Sequence, residues 1–484
     1  MIMAIAPMPA PELLPTWNGR NPAAVVTTRA AELDGIVTLP VRELNPWLPQ
    51  PIWAPHEHLG PTDVEEVRER TRARLQQLDW SKISSGDRVN LVANPHGFAL
   101  SGDAYVAMLE ETAHHVESKT GAKVRLRIAE SMGHIENPDW MKIFDLEARF
   151  GDAKECPQIA QGVEIDTRVG KMYLTKQLFS ADHFIHTHVT EMREGYLHRM
   201  QDRLFKPFGM AYTRLETRSA YHFGYGPRTG QLVARAVFES EFIQNRYVST
   251  VVLNTSPEGV VDVDADNDLG ALDRRVATDI FRNYAVLIRL MSEVKDVTVV
   301  FDGHGNTVYS YAGGIPFDVL YYSNADWLDL DNPALYAALL PDSMRGLVGQ
   351  YMMGENANIK AYVINYMANG VPYLYLIKGI PTFVSSPQVM DWLEQDPSAC
   401  WIRDVAEVTN GLADAVDRGK RIAKSDNVLV YDGLPGALHV SESLARDLRA
   451  AAPRVTEDVE KVRMPKWLAQ RDLPSVSLSR ARHA

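Results

Sequence analysis

Short apolar blocks alternate along most of this chain with longer stretches in which apolar positions recur every three or four residues. From about residue 62 the segment VEEVRERTRARLQQL sets Val64, Val67, Thr71 and Leu75 close to one face and predicts a helix. DRVNLVA (87–93) predicts a buried strand, and AYVAMLEETAHHVESKTG (104–121) a helix closed by a glycine. KVRLRIAES (123–131) predicts a second strand, and strand, helix, strand at this spacing is a βαβ unit with parallel pairing. A third strand follows at ADHFIHTHV (181–189). On a period of two, His186 and His188 share a face with Phe184, while His183 and Ile185 take the other.

The same alternation restarts near residue 262. ALDRRVATDIFRNYAVLIRLM reads as a helix and VKDVTVVFDG as a strand, and TVYSYAGGIPFDVLYY carries a glycine turn at 312–318. VAEVTNGLADAVDRGKRIAKSDNVLVYDGLPGA reads as helix, strand and a glycine-proline loop. The pattern predicts two α/β domains with mainly parallel sheets and the active site in the cleft between them. The expected divisions are an N-terminal extension over 1–60, a first α/β domain over 61–262, a second over 263–440, and a tail over 441–484 that returns to the first domain. The proline- and tryptophan-rich opening (NPWLPQPIWAPHEHLGP) lacks periodicity and reads as a wrapping segment, with His56 and His58 as a surface pair.

Composition narrows the class. A chain of 484 residues exceeds one ordinary core. A net charge of -12 argues against nucleic acid as partner, since such proteins carry a basic footprint. No run of about 18 apolar residues predicts a membrane span, so no membrane partner is expected. The opening residues lack the basic and apolar regions of a secretion signal. Two distant cysteines, Cys156 and Cys400, exclude a disulfide framework or a cysteine-based zinc site and predict a cytoplasmic protein. There is no phosphate-binding loop, no dinucleotide fingerprint and no internal repeat.

Candidate chemistry concentrates between Asp166 and His222. His183, His186, His188, His198 and His222, five of the fourteen histidines, fall there with Lys206. Imidazole binds metals when neutral and moves protons near neutral pH. In open parallel sheets, ligands sit beyond the carboxyl ends of strands. That rule singles out the loop Asn94-Pro95-His96-Gly97 after the first strand and the turn Gly133-His134 after the second. Gly313 and Gly314 let backbone approach a ligand in the second half.

In order and context, residues 85–440 resemble the lactate racemase family, enzymes that use a nickel-pincer nucleotide. The resemblance rests on Gly133-His134, on DTRVGKMYLTKQLFSAD (166–182) ending in an Ala-Asp pair, on a histidine-bearing loop followed by Lys206, on His222 sixteen residues further, and on GGIPFDVLYYS (313–323). It implies a racemase or epimerase of a 2-hydroxy acid or related secondary alcohol. His222 would ligate nickel, and Lys206 would lie beside the cofactor, in some members joined to it through a thioamide. Asn94, His96, Gly313 and Gly314 would complete the cofactor site. Hydride would leave the substrate carbon for the cofactor and return to either face, with two histidines as bases: His134 first and His188 second, with His186 and His198 as competitors.

The chain departs from the family where the substrate is gripped. Asn94-Pro95-His96-Gly97 stands where the family has an Asp-x-Thr-Arg pattern, EMREGYLHRMQDRLF (191–205) is not glycine-rich, and Tyr322 and Ala325 replace a glutamine and a lysine. These changes remove charge-assisted contacts to a small carboxylate, which favours a larger or less charged hydroxy compound than lactate. Tyr322 and Arg193 are the expected substrate contacts, with Arg199 and Arg228 as further cations and Tyr321 and Trp327 near the mouth. The same cofactor with a dehydration or oxidation outcome, and a non-catalytic cofactor-binding homologue, are the alternative readings. Oligomeric state is left open.

Overall fold

A computed structural model describes residues 30, 33–130, 139–190, 201–303, 326, 328–331, 358–367, 380–394, 402–432 and 434–478, without the side chains of 222, 223, 226–229, 303, 366, 367 and 392. It has an α/β architecture with two mainly parallel sheets. The strands of the first half are β1 (Ile36–Pro40), β2 (Arg88–Ala93), β3 (Lys123–Ala129), β4 (Ala153–Cys156), β5 (Gly162–Thr167), β6 (Gly170–Thr175), β7 (His183–Val189), β8 (Tyr247–Ser256) and β9 (Gly259–Asp266). Those of the second half are β10 (Val297–Gly303), β11 (Ile359–Met367), β12 (Thr382–Val384), β13 (Ala406–Val408), β14 (Val428–Tyr431) and β15 (Ala437–Ser441).

One sheet has six strands in the order β4–β3–β2–β7–β8–β9. All its neighbours run parallel except β8 and β9. The hairpin of β5 and β6 stands apart as a two-stranded sheet. Among the described residues the other large sheet has seven strands in the order β1–β15–β14–β10–β11–β12–β13. From β14 to β13 every pairing is parallel, and β15 and β1 close the other edge antiparallel.

Local sequence explains the elements that place the site. Covered on both faces, β2 is buried from Val89 to Ala93 and β8 along its whole length, polar positions included. Helix Pro95–Thr120 follows β2 directly, with Pro95 in its first turn, the Asn94 side chain capping it, and Gly121 ending it at a φ of 74°. The stretch Asn94–Gly97, expected as a loop, is therefore a cap and a first helical turn. That helix breaks at Gly102, whose φ of 40° is open to a residue without a Cβ.

Helix Leu269–Met291 joins the sheets. Asp268 caps it by accepting from the N–H groups of Gly270 and Ala271 at 2.8 and 3.1 Å. It packs on β8 and β9 of the six-stranded sheet and on helix Glu442–Asp458. One apolar core thus runs from Phe184 and Phe208 through Phe281 and Tyr284 to Val299 and Leu429. Two outlying segments are built into this frame. Ile36–Pro40, within the stretch read as a wrapping extension, pairs in register with β15, while Trp53 bridges to Val260 of β9. Helix Glu442–Asp458, in the expected tail, packs against β1, β15 and helix Leu269–Met291. No helix among the described residues is long and apolar enough to cross a membrane.

Candidate functional site

The carboxyl edge of the six-stranded sheet gathers the polar residues of interest. At the end of β2 the Asn94 side chain accepts from the His96 N–H at 3.0 Å, which fixes the first turn of the following helix. The Asn94 N–H in turn donates to the Tyr105 hydroxyl at 3.0 Å. That hydroxyl donates to Thr187 Oγ1 at 2.7 Å, and Thr187 donates to the Val92 carbonyl at 2.8 Å. A relay of three hydrogen bonds therefore ties the cap after β2 to the middle of β7. Burial pushes the Tyr105 phenol up to about 12, against the pull of its Thr187 and Asn94 bonds, so it remains a donor. Gly97 makes room for the ring: a Cβ there would lie 2.3 Å from Tyr105 Cε1.

His186 and His188 share one face of β7, as the alternation predicts, and both are buried, with ring centroids 5.8 Å apart. His186 Nδ1 lies 2.6 Å from the Tyr212 hydroxyl. Burial lowers the His186 pKa well below the ordinary value, nearby His188 lowers it further, and the Leu204 backbone opposes both. Tyr212 is held protonated by burial, with Tyr105 adding to the shift. His186 is the hydrogen-bond partner of that phenol among the described residues, so the O–H donates to Nδ1 and the imidazole proton sits on Nε2. His186 is thus a neutral ring already committed at one nitrogen.

Lys206 opens a short helix, Lys206–Gly209, and is buried. The turn before it is pinned from the joining helix. Asp273 accepts the N–H groups of Asp202 and Leu204 at 2.8 and 2.9 Å, one on each oxygen. The Lys206 N–H donates to the Asp202 carbonyl at 3.1 Å. Arg235 donates to the Asp202 carboxylate at 2.7 Å and lies over the Phe205 ring. Desolvation first, then the charge of Asp202, raises the Asp273 carboxyl to about 6.

Two residues on from Lys206, the Phe208 ring meets the His186 ring edge-on, with centroids 5.4 Å apart. Gly209 lies so close to Tyr221 that a Cβ would sit 2.5 Å from its ring. Tyr221 belongs to the π-helical turn Ala220–Gly224, which contains His222. Such turns interrupt α-helices most often where side chains serve a function.

Of the expected site residues, the structure brings the Lys206 helix, the turn bearing His222 and the His186–His188 pair into one packed cluster, with Asn94 and His96 on the neighbouring strand end. The His222 side chain lies outside the described atoms. His134, Arg193, His198, Gly313, Gly314, Tyr321, Tyr322 and Trp327 lie outside the described residues. Among the described residues no group of three or more His, Cys, Asp or Glu side chains could hold a metal ion. Sequence reasoning missed Tyr105, Tyr212 and Asp273, which act through contacts 82, 26 and 71 residues away in the chain. The chain matches no protein-family model, and no curated protein is similar to it.

Proposed function

We propose that this protein is an isomerase that inverts a 2-hydroxy acid or related secondary alcohol with a nickel-pincer nucleotide. The observation that carries the reading is the buried cluster at the carboxyl edge of the six-stranded sheet, where His186 and His188 stand beside the helix that begins with Lys206. Buried imidazole and ammonium groups are expensive unless they serve a ligand or a partner.

The residues fit the cofactor in kind. The turn bearing His222, which would offer a neutral imidazole to the metal, packs against the Lys206 helix. His222 would hold the metal and Lys206 the nucleotide, with Asn94, His96, Gly313 and Gly314 completing the cradle. When bound, the cofactor supplies a reversible hydride acceptor. The protein's own groups do the rest. His188 takes the hydroxyl proton through a ring kept in place by its strand, and His134 serves the opposite enantiomer. His186, held by Tyr212, lies beside His188 with ring centroids 5.8 Å apart. Tyr322 and Arg193 would contact the substrate.

Net oxidation or dehydration with the same cofactor is the second reading. It needs a single base, and of the histidine pair on this face His186 is committed to Tyr212.

The test is a panel of enantiopure 2-hydroxy acids incubated with cofactor-loaded protein and resolved by chiral chromatography. The opposite enantiomer should appear, with loss of about 100-fold or more in rate for His188→Gln, the usual scale of a lost general base. An alkene accumulating, or a 2-oxo acid formed at one equivalent per bound cofactor, without inversion would select the second reading.

A further inference from the structure

Asn254 is the most anomalous polar residue of the described structure. It lies in β8 at 2% exposure, and both its Nδ2 and its Oδ1 are buried without a hydrogen-bond partner among the described residues. Buried amides are hydrogen-bonded almost without exception, and leaving one unpaired costs about 1–3 kcal/mol for each group. A protein that keeps such a residue keeps it for something outside its own hydrogen-bond network.

Its position says what that is. β8 pairs with β7 in parallel, with His188 opposite Val252 and Val189 opposite Leu253. Alternation places Asn254 on the same face as Val252, hence on the face of His188, one strand over and two residues nearer the carboxyl edge. Strand spacing and rise put it about 8 Å from His188, the span of a small ligand's reacting end. Thr255 next to it bonds Thr190 and Tyr284, and Asn283 donates to the Thr255 carbonyl at 2.9 Å. The orphaned amide thus stands next to paired groups at Thr190, Thr255 and Asn283.

We infer that Asn254 is a ligand-facing residue of this site, and that it holds the oxygens of a hydroxy acid whose hydroxyl hydrogen His188 receives. A carboxamide suits this role, because its NH₂ carries two donors for the oxygens of a carboxylate or a carbonyl. A neutral amide adds no charge to its buried surroundings. The inference rests on the hydroxy-acid reading for the identity of the ligand, but not for the claim that Asn254 faces one.

The experiment is thermal unfolding of the cofactor-loaded full chain and its Asn254→Leu and Asn254→Ala variants, alone and with racemic mandelate or racemic 2-hydroxyisocaproate. Leucine keeps the branched shape without the polar atoms, and alanine removes the group without adding volume. Without ligand, at least one variant should melt at or above the wild-type temperature, because function sites hold polar groups at a cost to stability. With ligand, the wild-type melt should rise by mass action and that rise should vanish in both variants. Two variants that both melt several degrees low without ligand would make Asn254 a structural residue and overturn the inference. So would an undiminished ligand shift in the variants. No shift in the wild type with either acid would refute the hydroxy-acid reading and the ligand class assigned here, while the ligand-free melts would still decide separately whether the amide is an orphan.

Discussion

Replacing Gly97 by alanine tests the link between the cap after β2 and the histidine strand. The new Cβ would meet three atoms of the Tyr105 ring at 2.3, 2.4 and 2.5 Å. Carbon atoms do not approach within about 3.5 Å without repulsion, so the ring or the helical turn must shift by about 1 Å. Tyr105 is fully buried, with Phe98 packed edge-on at 5.2 Å, and its hydroxyl holds both the Asn94 N–H and Thr187 Oγ1. Overpacking of a dense core costs about 1–3 kcal/mol, and two displaced hydrogen bonds add about 1 kcal/mol each, so Gly97→Ala should lose about 3–5 kcal/mol. Urea unfolding followed by tryptophan fluorescence reads this, since Trp140 stacks on Phe98 at 6.0 Å. Tyr105→Phe, which deletes the hydroxyl and leaves the ring, should cost about 1–2 kcal/mol. In a Tyr105→Ala background the Gly97→Ala substitution should cost almost nothing, because the ring that obstructs it is gone. A Gly97→Ala protein within about 0.5 kcal/mol of wild type, the usual range for innocuous surface changes, would show that ring and cap are not coupled in this way.

Other expected outcomes follow from the buried charges. His186 has a depressed folded pKa from burial and from His188, so its contribution to stability is present above the unfolded value of 6.5 and is lost as pH falls below it. Between pH 7.5 and 5.5 the urea midpoint of His186→Gln should fall less than that of wild type; equal falls would contradict this. Asp273 has the opposite sign: its carboxyl, raised to about 6 from 3.8, contributes most below the unfolded value and loses that contribution as pH rises through 6. Relative to Asp273→Asn, the wild-type midpoint should therefore decline between pH 5 and pH 7.5, and a difference constant over that range would count against a raised pKa. Arg275 pairs with buried Asp264 at 2.9 Å and with the more exposed Asp266. Arg275→Ala should cost about 3 kcal/mol by stranding a buried carboxylate, whereas Asp266→Ala should cost under about 1 kcal/mol. Equal costs would mean that burial does not set the strength of these pairs.

The parallel frame was legible in the sequence because hydrophobic runs bounded by turn residues leave little choice of element. The predicted strands 87–93, 123–131 and 181–189 overlap β2, β3 and β7, and the predicted helix 104–121 matches all but the first nine residues of helix Pro95–Thr120. The face shared by His186 and His188 was also legible, since period two is a property of the backbone. Ile36–Pro40 escaped because a five-residue edge strand with exposed alternate positions carries too little pattern to stand out among prolines. The Asn94 cap was read as a loop because Asn-Pro serves both turns and helix starts, and burial of the following turn decides between them. The partners that fix the site were not legible at all. Tyr212 under His186, Asp273 under the Lys206 turn and Asn254 beside His188 are ordinary residues in sequence, and acquire meaning from contacts that the chain makes only when folded.

The nickel-pincer assignment stands or falls on metal content. Protein co-expressed with the enzymes that make the pincer nucleotide would be analysed for nickel and by intact mass, beside His222→Ala and Lys206→Ala. Near-stoichiometric nickel is expected in the wild type, with its loss in His222→Ala and an added mass at Lys206 if the nucleotide is covalently joined. Wild-type protein without nickel under these conditions would contradict the proposal, and would leave the buried histidine pair to a chemistry other than hydride transfer to this cofactor.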